Sequence, residues 1–292
     1  MTFLPPAARA EYLDLDGGRV RVLRGGPDGA PALLLVHGGS NDNAAVSWYR
    51  MFGEFGADHR VIAPELPGFG GTVGIDPVGG PTAQADFLAR VLSGLGVERA
   101  VVVGVSMGGD VAMNLALRHP GLVRGLVLIA PGGLVERVGN RWLTHKGAWW
   151  AARMPDAFLF PATALANRFV GVALRAVVHD VSALPPEAVA EFRREALRPG
   201  AARGYMRYNQ DTLGPHGMLN NLMPVVGRIT VPTLFFHGEQ DSLVPLEGSR
   251  RASELMPNAR LVTVPDCGHW AQLEAHERFV EEVRAFLPAV HG

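Results

Sequence analysis

Residues 11–15 (EYLDL) and 19–23 (RVRVL) alternate polar with apolar on either side of Asp16-Gly17-Gly18, the period-two pattern of a hairpin buried on one face. Further along, residues 32–36 (ALLLV), 60–63 (RVIA), 101–103 (VVV) and 125–129 (GLVLI) are almost wholly apolar. Continuous hydrophobicity predicts strands covered on both faces, and hence a parallel sheet. Helical patterns separate these runs, notably at residues 82–95 and 107–118, so the order reads β-α-β-α. From 134 to 226 the texture changes to helical throughout, rich in Ala, Arg and aromatics. Strand patterns resume at 231–236 and 259–264, and a last helix is expected over 271–287. Strands on both sides of the helical stretch predict one α/β domain, residues 1–133 with 227–292, carrying a helical cap insertion at 134–226.

The chemistry sits at the carboxyl ends of the predicted strands, where open α/β sheets bind ligands. Gly104-Val105-Ser106-Met107-Gly108 places a serine between two glycines at a strand-to-helix turn, the pattern of a nucleophile elbow. A serine hydroxyl is a poor nucleophile near neutral pH, so it needs an exposed turn, a nearby base and unpaired N–H groups. A side chain at either flanking glycine would crowd the neighbouring strand and helix.

Composition narrows the remaining classes. The 292-residue chain has a formal net charge of −1 and 48% hydrophobic residues, with no basic stripe. Nucleic-acid and membrane partners are therefore not expected. Cys267, the one cysteine, rules out an intrachain disulfide. The first residues, MTFLPPAARAEY, lack a secretory pattern, so a cytoplasmic location is expected. His276-Glu277-Arg278-Phe279-Val280 lacks the second histidine of a zinc motif, and no glycine cluster completes a dinucleotide or P-loop pattern. Neither a metal nor a cofactor is expected.

His37-Gly38-Gly39-Ser40, Leu66-Pro67-Gly68-Phe69-Gly70, the Ser106 elbow, Gly238-Glu239-Gln240-Asp241 with Val244-Pro245, and Gly268-His269-Trp270 follow one another in the order of the α/β-hydrolase superfamily, which the chain resembles. The resemblance implies a mostly parallel sheet flanked by helices, with Ser106 as nucleophile, His269 as base and Asp241 as its partner. It also implies an oxyanion hole made by the backbone N–H groups of Met107 and Gly39. His237, Glu239 and Asp266 stand as rivals within the triad, while His37 reads as holding the oxyanion loop by hydrogen bonding and Cys267 as a small packed residue. Serine at the elbow sets the chain apart from the branches that use aspartate there.

Cys267-Gly268-His269-Trp270-Ala271-Gln272 with Glu274, and Ser106-Met107-Gly108-Gly109, look like the meta-cleavage-product hydrolases, which split a carbon–carbon bond beside a ketone. That likeness implies a dienoate substrate, with Arg193 in the cap matching the position of an arginine for its carboxylate. Ser40, Asn41 and Trp270 are the other candidate substrate contacts. Val105 and Ser40-Asn41-Asp42 depart from that branch and keep carboxylesterase or lactonase chemistry open. A lyase, an acyltransferase or a non-catalytic ligand-binding protein on the same fold also stays open, as does assembly into a homo-oligomer. Trp149, Trp150, Phe158 and Phe160 are candidate cavity walls.

Overall fold

A computed structural model describes residues 3–138, 141–201 and 203–291, save the side chains of residues 173, 176 and 291. The chain opens with the hairpin β1 (Arg9–Leu15) and β2 (Gly18–Gly25), then β3 (Ala32–Val36), α1 (Ala44–Ser47), α2 (Met51–Phe55) and β4 (Arg60–Pro64). Next come α3 (Pro81–Gly94), β5 (Ala100–Val105), α4 (Met107–Arg118) and β6 (Val123–Ile129). Among the described residues five α-helices follow before the sheet resumes: α5 (Trp142–Ala152), α6 (Asp156–Asn167), α7 (Val170–Val177), α8 (Pro186–Ala196) and α9 (Arg203–Thr212). The chain finishes with β7 (Thr233–Gly238), α10 (Leu246–Leu255), β8 (Ala259–Val264), α11 (Ala271–Glu274), α12 (His276–Phe286) and α13 (Pro288–His291).

The eight strands form one sheet in the order β1-β2-β4-β3-β5-β6-β7-β8. β2 runs antiparallel to β1 and β4, and the strands from β4 to β8 are parallel. The apolar runs behave as their pattern requires, since β3, β5 and β7 are buried at every residue. Alternate side chains of β5 enter different cores: Val101, Val103 and Val105 face one side, Val102 the other. Burial on both faces of the sheet removes those residues' apolar surface from water at about 25 cal/mol per Å².

Two sequence expectations change in detail. The C-terminal helix is interrupted at Ala275, whose φ of −115° and ψ of 48° lie outside the helical region. The break lets Glu274 turn its carboxylate back to accept hydrogen bonds from the backbone N–H groups of Gly268, His179 and Asp180. The stretch 134–226 holds one isolated antiparallel bridge, Leu213 with Met218, among its helices.

The helical insertion is tied to the sheet by polar contacts at loops near the site. Asn43 Nδ2 donates to Glu191 Oε1 of α8 at 2.9 Å, and Gly70 N donates to Glu195 Oε1 at 3.2 Å. Arg198 adds a bond to the Gly68 carbonyl at 2.9 Å. Buried Glu191 and Glu195 are held in turn by Arg194 and Arg198, whose guanidinium groups reach toward solvent, so each buried carboxylate has a paired charge.

Candidate active site

Ser106 stands between β5 and α4 with φ 55° and ψ −119°, a backbone conformation that costs a non-glycine residue about 1–3 kcal/mol. Both flanking glycines are enforced by close approach. A Cβ on Gly104 would lie 2.4 Å from the Gly108 carbonyl oxygen, and one on Gly108 would lie 2.1 Å from that of Val36. The strained turn is pinned from several sides: Ser106 N donates to Ile129 O at 2.9 Å, while its carbonyl accepts from Gly109 N and Gly132 N at 3.0 and 2.8 Å. Ser106 remains partly exposed, and as the N-cap of α4 it leaves the Met107 N–H at the positive end of that helix.

The loop after β3 runs alongside. A Cβ on Gly38 would lie 3.6 Å from Ser106 Cβ, so the Gly38-Gly39 backbone passes beside the nucleophile. His37 secures that loop: its Nε2 accepts from Leu66 N at 3.1 Å, which leaves Nδ1 protonated and donating to Gly38 O at 2.7 Å. Burial lowers the His37 pKa to about 4, against the raising effect of the Gly38 contact, so the ring is neutral at pH 7.

Buried Asp42 supports the same loop by accepting from Gly38 N and Asn43 N, both at 2.8 Å, and from the Ser47 hydroxyl. Burial pushes its carboxyl up to about 7, although Ser47, the two N–H groups and the charge of His269 all pull the other way. This support comes from the departure at residues 40–42, where sequence alone left a loop cap and an acyl contact open.

Asp241 and His269 meet after β7 and β8. His269 Nδ1 donates to Asp241 Oδ2 at 2.7 Å, and both side chains are buried. Asp241 Oδ1 accepts from Leu243 N and Val244 N at 2.8 and 3.0 Å. His237 Nε2 lies 3.3 Å from Asp241 Oδ2 and 3.0 Å from Val244 O, while its Nδ1 faces Ser249 Oγ at 2.8 Å. Two acceptors at Nε2 place the His237 proton there, so this histidine is a second donor to Asp241. Burial alone would raise the Asp241 pKa, but the hydrogen bonds from His237 and His269 and the His269 charge outweigh it and hold the carboxyl well below the usual range.

Of the rivals to Asp241, Glu239 and Asp266 are both exposed, and neither has a polar contact with His269 among the described residues. Cys267 is buried, and burial together with the charges of Glu274 and Asp241 pushes its thiol up to about 12, leaving it protonated at pH 7.

The four candidate substrate contacts fare differently. Arg193 is exposed on α8, whose buried positions are Ala188, Glu191, Phe192, Glu195 and Ala196. Arg193 points away from that face, with Nη2 3.8 Å from the Cβ position of Gly171 on α7, and makes no ion pair among the described residues. The expected carboxylate receptor is therefore not turned inward: one step along a helix rotates a side chain by about 100°, out of the buried stripe set by Phe192. Ser40 is exposed with φ 60°, and Asn41 Nδ2 donates to Asn167 Oδ1 of α6 at 3.3 Å. Trp270 is buried edge-to-face on Phe192, with ring centroids 4.9 Å apart.

Sequence reasoning missed a polar network under the elbow. Asp110, in the first turn of α4, accepts from Tyr208 Oη at 2.7 Å, from Asn220 Nδ2 at 2.5 Å and from Asn114 Nδ2 at 3.0 Å. Burial raises its pKa to about 7 against those three donors. Tyr208 stacks on Tyr205 with centroids 5.9 Å apart, and a Cβ on Gly39 would lie 2.3 Å from the Tyr205 ring. One helix of the insertion thus touches both the base of the elbow and the candidate oxyanion loop. The signal available was an acid four residues after the serine, followed one turn later by Asn114, on an otherwise largely apolar helix. Among the described residues no three His, Cys, Asp or Glu side chains gather as a metal-holding group.

The α/β-hydrolase-fold model matches residues 31–276. A 2-hydroxymuconate semialdehyde hydrolase of Pseudomonas putida is 32% identical, covering 89% of this chain and 88% of that protein. A 2-hydroxy-6-oxononadienedioate/2-hydroxy-6-oxononatrienedioate hydrolase of Comamonas testosteroni is 31% identical over 88% and 87%. The solved 2-hydroxy-6-oxo-6-phenylhexa-2,4-dienoate hydrolase of Rhodococcus sp. strain RHA1 superposes with a TM-score of 0.75 over 96% of this chain and 99% of that one; at 24% identity this likeness shows the fold alone. The sheet order, the elbow and these matches together establish that the chain belongs to the α/β-hydrolase family.

Proposed function

We propose that Ser106, His269 and Asp241 form a catalytic triad that hydrolyses a carbon–carbon bond beside a ketone in a small dienoate. The observation that carries the triad is the 2.7 Å contact between His269 Nδ1 and Asp241 Oδ2 at the sheet edge that also presents the strained Ser106. The bond cleaved is argued from the two relatives above 30% identity, both hydrolases of compounds of this kind.

Asp241 fixes the His269 tautomer, so Nε2 is free to accept the Ser106 proton as Oγ bonds to the ketone carbon. The negative charge that develops on the carbonyl oxygen falls to the Met107 and Gly39 N–H groups. In the dienoate, tautomerisation of the dienol to the ketone comes first. Cleavage then sends the bonding electron pair to the carbon fragment, which takes a proton from His269, and water releases the acyl group from Ser106. The helices at 134–226 act as a cap that selects the substrate.

Ester or lactone hydrolysis is the second reading, favoured by the outward position of Arg193 and by the polar loop at residues 40–42. A panel of ring-fission dienoates, acyl esters and lactones assayed on one preparation separates the two. Loss of the dienolate chromophore with kcat/KM above that for every ester supports carbon–carbon cleavage. The reverse order assigns the protein to ester chemistry, and no turnover of any member removes the catalytic reading.

A further inference from the structure

The insertion exposes large apolar side chains in a repeating pattern. On α5, Trp142, Leu143 and Trp150 are exposed while His145 and Ala152 are buried. Trp142, Lys146 and Trp150 recur every four residues, one stripe of a helix facing away from the buried positions. From α6 into α7 the same occurs: Phe158 (65% exposed), Leu165, Phe169 (66%) and Val172 (68%) follow at spacings of seven, four and three. Met154 is exposed where α5 turns into α6.

Cations accompany this apolar surface. Residues 141–177 contain Arg141, Lys146, Arg153, Arg168 and Arg175 but a single carboxylate, Asp156, which Arg207 already holds through two hydrogen bonds. None of the five makes an ion pair among the described residues, and Arg193 stands beside α7 as a sixth. Against a net charge of −1 for the whole chain, this segment is locally basic.

We propose that the outward faces of α5, α6 and α7 dock on an anionic lipid surface. Exposed Trp, Phe and Leu beside Arg and Lys is the composition of helices that lie in a membrane interface, where rings enter the headgroup region and cations meet lipid phosphates. Charge decides against a second copy as occupant. A two-fold contact sets a patch on itself, which here would bring Arg141, Lys146, Arg168 and Arg175 against their own copies with no free carboxylate of the segment to separate them; Arg153 turns instead to the Leu213 carbonyl and the Trp149 ring. The expectation of no membrane partner rested on the net charge and on the absence of a basic stripe; the five cations are scattered over residues 141–177 and form no run in the sequence. Among the described residues no helix is long and apolar enough to cross a membrane, so the contact is peripheral.

The test is flotation of the full chain with phosphatidylcholine vesicles, with and without about 30% phosphatidylglycerol. The wild type should float with the anionic vesicles only and be released as salt is raised. Trp150→Asp with Phe169→Asp, and separately Arg168→Glu with Arg175→Glu, should each weaken partition about tenfold or more while the thermal midpoint stays at the wild-type value. Trp142→Ser with Phe158→Ser repeats the test if the aspartates disturb folding. Three outcomes overturn the proposal: no partition of the wild type, equal partition onto both vesicle types, or a dimer in sedimentation that the same substitutions dissolve.

Discussion

The loops at the sheet edge and the helices inserted above them solve opposite problems with the same residue types. At the sheet edge every candidate catalytic group is over-determined: Asp241 receives four donors, His37 has both ring nitrogens engaged, and the Ser106 backbone is held on both sides. Packing and hydrogen bonds there support about 1–3 kcal/mol of local strain and leave one geometry. The outer faces of α5 to α7 are instead held by few partners and leave tryptophans and phenylalanines in solvent. A fixed site for bond chemistry and an open surface for association ask different things of a side chain, and the contrast is the one the two proposed roles require.

The largest effect should come from Ser106→Ala, which removes the nucleophile without touching the core. Turnover should fall about 10³-fold or more in steady-state assays on whichever substrate proves active, with the thermal midpoint preserved. His269→Ala should cost about as much, whereas His237→Ala, which acts through Asp241, should cost about 10- to 100-fold in kcat with KM little changed. Equal losses at the two histidines would show that the rigid region is less finely divided than its contacts imply.

The two regions touch at Gly39 and Tyr205, and that contact sharpens the comparison. Gly39→Ala should displace the oxyanion loop from the ring and lower kcat about 10- to 100-fold, and Gly39→Ala with Tyr205→Ala should recover part of it. Independent, additive losses in that cycle would separate the insertion from the chemistry.

A smaller effect concerns pH. Asp110 keeps its proton in the folded chain up to about 7, whereas an unfolded aspartic acid loses it near pH 4, so the folded state binds more protons between those values. Stability from this group is present below the unfolded value and is lost as pH rises toward 7. Asp110→Asn should therefore shrink the fall in melting temperature between about pH 5 and pH 8, measured by calorimetry. The smallest effect is expected for Arg193→Ala, less than about twofold in KM for an acidic substrate, as an exposed helix position implies. A tenfold rise confined to acidic substrates would return Arg193 to the site.

The sheet was legible because strands covered on both faces must be apolar throughout, as residues 32–36 and 101–103 are. Ser106, Asp241 and His269 were legible as loop residues following such strands. The Asp110 network was not, because Tyr208 and Asn220 lie about a hundred residues away and nothing local marks them as partners. For Arg193 a motif fixes a position along a helix without fixing its face; the buried spacing of Ala188, Glu191, Phe192 and Glu195 puts it on the exposed side. Trp150 and Phe158, candidate cavity walls by their hydrophobicity, both face solvent, because sequence hydrophobicity does not say which face of a helix is covered.

If Ser106 is a nucleophile activated by His269 and Asp241, an organophosphorus electrophile should find it. Covalent labelling with an alkyl fluorophosphonate, mapped by mass spectrometry of the intact chain and its peptides, tests it most directly. One adduct per chain is expected, on Ser106, formed quickly by the wild type, far more slowly by His269→Ala and not at all by Ser106→Ala. An unlabelled wild type, or an adduct on any other residue, would contradict it.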